Sequence, residues 1–152
     1  MQISIKKYPD LSTDELYALL RLRSEVFVVE QDCVYQDIDN KDQKALHIMG
    51  WEDNSLAAYT RCFGPGHYFD QPAIGRVVVQ EEHRGKGLAN EIMRASIRAL
   101  VQAYGPVDIK LSAQTYLLKF YQDLGFKAVG EGYLEDGIPH RAMIRPANPA
   151  DQ

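Results

Sequence analysis

The sequence predicts a mixed α+β domain built around one mostly antiparallel sheet. Three observations carry that expectation. Segments of helix and strand character follow one another as helix, strand pair, strand–helix–strand, helix, strand pair. The strand at 74–79, the amphipathic helix at 88–103 and the strand at 107–112 are close enough for one right-handed parallel crossover. The two strand pairs are joined by short polar turns, as antiparallel hairpins are. A chain of 152 residues fits one domain, placed at 1–145, with 146–152 as a loose tail.

The elements follow from local patterns. Ser12 with Glu15 three residues later forms a capping box and opens the first helix. Leu16, Leu19, Leu20, Arg23 and Phe27 then recur at helical spacing. Residues 30–42 are polar and acidic and read as a solvated loop or short turn. Residues 45–52 and 56–63 are rich in strand formers, and Asp53-Asn54-Ser55 turns one into the other. Gly64-Pro65-Gly66 ends that pair. The run Val77-Val78-Val79 is β-branched, as a buried strand is. Leu88, Ile92, Ser96, Leu100 and Tyr104 then mark one face of a helix that Gly105-Pro106 stops. After the strand at 107–112, a second helix is expected over 114–124, with Gly125 just past its end. The last hairpin, 127–135 with 138–144, turns on Asp136-Gly137, which suits a type I′ turn.

Lys plus Arg number 17 and Asp plus Glu 21, a net charge of −4. That balance argues against a general nucleic-acid binder, which needs a basic face. It leaves room for a local positive pocket. No apolar stretch approaches the roughly 20 residues that span a bilayer, and the N-terminal residues hold no apolar signal core, so a cytoplasmic, non-membrane protein is expected. Cys33 and Cys62 match no metal pattern and read as two reduced thiols.

The chemistry-bearing stretch is Arg84-Gly85-Lys86-Gly87-Leu88-Ala89, set between a buried strand and an amphipathic helix. Two glycines remove Cβ atoms where a ligand must approach the backbone. The helix N-terminus offers unpaired amides and partial positive charge, and Arg84 and Lys86 add cations. Together they form a phosphate cradle. No GxxxxGK[ST], GxGxxG or GxSxG occurs. The acidic run 37–42 has Lys41, Asp42 and Ile48 where a calcium loop needs a ligand, a glycine and a closing Glu. The four histidines show no ligand spacing, so no metal is expected.

On these residues the chain resembles the GNAT superfamily of acyl-CoA-dependent N-acetyltransferases. Residues 84–89 match its Arg/Gln-x-x-Gly-x-Gly/Ala motif, and Ile74-Gly75-Arg76-Val77-Val78-Val79 is similar to its central strand. Phe120-Tyr121-Gln122-Asp123-Leu124-Gly125-Phe126 resembles its FYxxxGF segment. Residues 22–33, Asp37-Ile38-Asp39, His47 and residues 131–140 resemble the ElaA-like branch. The likeness runs from about residue 5 to 145.

The resemblance implies a central strand pair that splays apart to admit acetyl-CoA. It implies the pyrophosphate on the amides of Arg84, Gly85, Lys86, Gly87, Leu88 and Ala89, and the pantetheine arm beside Val77, Val78 and Val79. Gln114 lies where many members carry an Asn near that arm. Tyr121 lies where many carry a tyrosine near the thioester sulfur, and such a hydroxyl, protonated at neutral pH, can serve as the acid that protonates the leaving thiolate. Its other reading is a core aromatic. Many members place a base Glu on the central strand; 74–79 has none. Glu30, His47 and His140 are the base candidates, each also readable as ordinary structural polarity. The activity implied is acetyl transfer to a primary amine of a small molecule or protein by direct attack, not through a covalent Cys33 carrier. Asp37, Asp39 and Asp42 read as solubilising or as an attractor for a cationic amine. A non-catalytic acyl-CoA-binding regulatory module and a cofactor-free interaction domain are the rival readings. The oligomeric state is left open, a homodimer included.

Overall fold

A computed structural model describes residues 1–151. Seven strands form one sheet in the order β1-β2-β3-β4-β5-β7-β6. They are β1 (Gln2–Lys7), β2 (Leu46–Glu52), β3 (Ser55–Phe63), β4 (Ala73–Val79), β5 (Ile109–Gln114), β6 (Lys127–Glu135) and β7 (Ile138–Arg145). Every neighbouring pair is antiparallel except β4 and β5. Those two run parallel and meet at one register position only, Ala73 opposite Lys110, and then diverge. The expected α+β class and crossover are present.

Helices cover both faces. α1 (Thr13–Arg23) starts on the expected capping box: Ser12 Oγ accepts from the Glu15 amide at 3.0 Å, and Glu15 accepts from the Ser12 amide at 2.8 Å. Its Leu19 and Leu22, with Val26 beyond it, pack on Met49, Tyr59 and Val78. α2 (Leu88–Tyr104) buries Ile92, Met93 and Leu100 on the opposite face, against Ile48, Ile109, Leu111 and Met143. The Asp53-Asn54 and Asp136-Gly137 turns both carry the paired positive φ of type I′.

Four features depart from the sequence reading. β1 has no counterpart in it; only Ile3 and Ile5 alternate there, too short a signal to separate a strand from a tail. The first helix continues as a π-helical turn over Ser24–Glu30, in which the Gln31 amide reaches back five residues to the Val26 carbonyl at 3.1 Å. The helix expected over 114–124 is shorter, because β5 runs on to pair Ala113 and Gln114 with Arg141 and His140. A 3₁₀ turn (Thr115–Leu117) and the short α3 (Leu118–Gln122) follow.

The fourth departure corrects the acidic loop. Asp37, Asp39 and Asp42 neither solubilise the surface nor wait for an amine. Asp37 and Asp42 take Arg23 at 3.0 and 2.7 Å; Asp42 and Asp39 take Arg61 at 2.9 and 2.8 Å; Asp37 takes Arg76 at 2.8 Å. Arg23 and Arg61 are 0% and 1% exposed. Three carboxylates are thus matched by three arginines, from α1, β3 and β4, which pins the loop to the sheet. In the tail, Ala147 N–H donates to Asp108 at 2.8 Å and Pro149–Asp151 form a 3₁₀ turn; residue 152 lies outside the described residues.

Candidate active site

The divergence of β4 and β5 opens a cavity of about 940 Å³. Val77, Val78 and Val79 of β4 border it, with Arg84, Gly85, Gly87, Leu88 and Ala89, Gln114 at the end of β5, and Tyr121 on α3. Glu30 and His140 border it too. Lys86 and His47 do not.

The α2 end of the cavity is built for an anion. Gly85 and Gly87 hold φ of +80° and +77°, a left-handed conformation that L side chains adopt only at a cost. A Cβ at either would meet no atom within 4 Å, so the space before these amides is open. Gly87 is the N-cap and supplies no side chain, and among the described residues no side chain caps the helix, leaving the first-turn amides available to a ligand. The guanidinium of Arg84 is not idle: Nη1 and Nη2 meet Glu30 at 2.6 and 2.9 Å, and Nε donates to the Val79 carbonyl at 3.0 Å.

Tyr121 is 6% exposed and stands edge-on to Phe120 and Phe126, with centroids 5.0 and 6.2 Å away. Burial pushes its hydroxyl pKa well above the ordinary tyrosine value, so it stays protonated at neutral pH.

The base candidates separate. His47 is a correction: it is 0% exposed and both ring nitrogens are used, Nε2 donating to the Asp42 carbonyl at 2.9 Å and Nδ1 accepting from the Tyr59 hydroxyl at 2.6 Å. Burial also lowers its pKa. It ties the acidic loop to β2 and has no nitrogen left for a substrate. Glu30 is held by Arg84. His140 Nδ1 donates to the Ile138 carbonyl at 2.6 Å, and its Nε2 stands 3.3 Å from a Glu135 oxygen. Its ring stacks on Tyr133, whose hydroxyl is hydrogen-bonded to Ser112.

Sequence reasoning missed Arg76, which borders the cavity and holds φ of +50° inside β4. The bulge falls where the β3 register slips between Tyr59 and Arg61. Gly75 before it is the sole local signal; the Asp37 contact that stabilises it comes from far along the chain. Glu135, Ser112 and Tyr133 were missed as well, because strand register alone brings them to His140. The two thiols are unpaired: Cys33 borders the cavity, while burial pushes the Cys62 thiol up to about 12. Among the described residues no helix is long and apolar enough to cross a membrane.

A parallel pair that splays beside an uncapped, glycine-flanked helix N-terminus defines the acyl-CoA N-acyltransferase class. The chain belongs to the acetyltransferase (GNAT) domain family, which it matches over residues 8–145. It is 42% identical over 140 residues to protein ElaA of Escherichia coli strain K12, covering 91% of this chain and 92% of that one. The crystal structure of Escherichia coli ElaA superposes with a TM-score of 0.88 at 39% identity, over 95% of this chain and 99% of that one. An acyl-CoA N-acyltransferase from Pseudomonas aeruginosa superposes with a TM-score of 0.90 at 43% identity, again over 95% and 99%.

Proposed function

We propose that the protein transfers an acetyl group from acetyl-CoA to a primary amine of a small molecule or protein, by direct attack in a ternary complex. The observation that carries this reading is the open, uncapped α2 N-terminus at the mouth of the β4–β5 gap. The amides from residue 84 to 89 would take the pyrophosphate, and the free edge of Val77–Val79 and Gln114 the pantetheine arm. An ammonium has no lone pair, so the acceptor must lose a proton before it attacks the thioester carbonyl. His140 Nε2 takes that proton, and Glu135 stabilises the imidazolium that results. As the C–N bond forms the C–S bond breaks, and Tyr121 gives its proton to the departing thiolate.

Acetyl-CoA at one hundred times its Kd should stabilise the fold by about 2.7 kcal/mol and raise Tm by roughly 5–10 °C. Thermal unfolding without any such rise removes the cofactor reading. Gly87→Val should abolish CoA binding in titration calorimetry. The branched side chain would stand in the open space before the amides, and the left-handed φ would add about 1–2 kcal/mol of strain. Unaltered affinity would count against the cradle. The absence of a carboxylate on β4 favours a second reading, a non-catalytic acyl-CoA-binding regulator. A primary-amine panel followed by CoA release separates the two: release above background supports the enzyme.

A further inference from the structure

The side chain of Arg84 borders the cavity and ties two of its lining residues together. Its two terminal nitrogens hold both oxygens of Glu30, the last residue of the π-helical turn on one wall, at 2.6 and 2.9 Å. Its Nε holds the carbonyl of Val79, the last residue of β4, at 3.0 Å. That carbonyl belongs to the open edge of the strand. The Gln80 amide of the same peptide group is bonded back to Ala57 on β3 at 2.8 Å. In a trans peptide the N–H and C=O point opposite ways, so the Val79 oxygen faces the gap. This is the edge on which the cofactor arm would lie. Each of the three guanidinium nitrogens therefore makes one contact, and the Nε contact occupies a position the arm needs.

The pair is accessible to water: the side chains of Arg84 and Glu30 are 41% and 34% exposed. Water-accessible pairs of this kind are weak enough for a polyanion to displace. The uncapped amides of α2 would hold that polyanion close to Arg84.

We infer that Arg84 and Glu30 form a latch at the border of the slot, and that a CoA diphosphate opens it by taking the Arg84 guanidinium from Glu30. This rests on the acyl-CoA reading above. Glu30 is then a positioning residue: it touches neither the thioester nor the amine, and it sets how much of the cofactor's binding energy is used to free Arg84. The exchange keeps charge balanced, since Arg84 moves from one anion to another, and it clears the Val79 carbonyl.

The test is CoA titration by calorimetry on the full chain and on two variants. Glu30→Gln removes the charge that holds Arg84 and should tighten CoA by about two- to fivefold. Glu30→Asp keeps the charge but draws the carboxylate back by one methylene, and should tighten CoA by part of that factor. Unchanged or weaker binding by Glu30→Gln overturns the latch. So does tightening by Glu30→Gln with Glu30→Asp at the wild-type value, since plain repulsion between Glu30 and the phosphates would then account for it. CoA binding by none of the three chains overturns the cofactor reading and the latch with it. Binding by Glu30→Gln alone supports both.

Discussion

Tyr121→Phe is expected to lower kcat by about a hundredfold or more, the usual range for one general acid. CoA affinity should stay within about a factor of two, because only an oxygen is removed and the ring keeps its edge-on packing against Phe120 and Phe126. The folded state should not suffer. The Tyr121 hydroxyl makes no hydrogen bond among the described residues, so its loss strands no partner. Single-turnover measurement with an active amine separates chemistry from product release. The pH profile offers an independent check. Burial raises the Tyr121 pKa, so the protonated form needed to quench the thiolate persists above the ordinary tyrosine value of about 10. An alkaline loss of kcat set by this group should therefore lie above that value. Unchanged kcat in the variant, with chemistry rate-limiting, removes Tyr121 from the acid role.

The parts of the molecule that could be read from sequence are those set by local backbone requirements. Gly85 and Gly87 remove Cβ atoms before an amphipathic helix, and a Cβ at either would stand in open space. Ser12 and Glu15 announce a capping box, and both of its hydrogen bonds form. Asp136-Gly137 announces its turn type. What could not be read depends on partners far apart in the chain. The acidic residues of 37–42 look like solvated surface because the arginines that bury them, Arg23, Arg61 and Arg76, sit on three other elements. The same holds for the candidate base. His47 and His140 are equivalent as letters. Folding spends both nitrogens of one on a carbonyl and a hydroxyl, and leaves the other bordering the cavity with one nitrogen facing Glu135. The central strand hides its bulge for a similar reason: Arg76 is an improbable residue at φ of +50°, and its side chain is held there by Asp37 and Asp39 and lies over the Tyr35 ring, all from the distant acidic loop.

The largest stability loss is expected for Asp42→Ala, about 3–5 kcal/mol in urea denaturation. Asp42 Oδ1 accepts from Arg23 at 2.7 Å and from Arg61 at 2.9 Å, and it is 5% exposed. Removing it leaves two buried guanidiniums short of a counter-charge, which costs far more than an exposed pair contributes. A loss below about 1 kcal/mol would mean that water reaches these arginines and that the network is not a buried one. Acid should probe the same network. Burial alone would raise the Asp42 and Asp39 pKa values, but the arginine contacts outweigh it: Asp42 is held below the usual carboxylate range and Asp39 falls to about 2. Because the folded values lie below the unfolded ones, this stabilisation is fully present above about pH 4 and is lost as pH falls toward 2. The stability gap between wild type and Asp39→Asn should therefore shrink across that window and be constant above it. A gap that stays level down to pH 2 would show that Asp39 contributes through shape and not through charge.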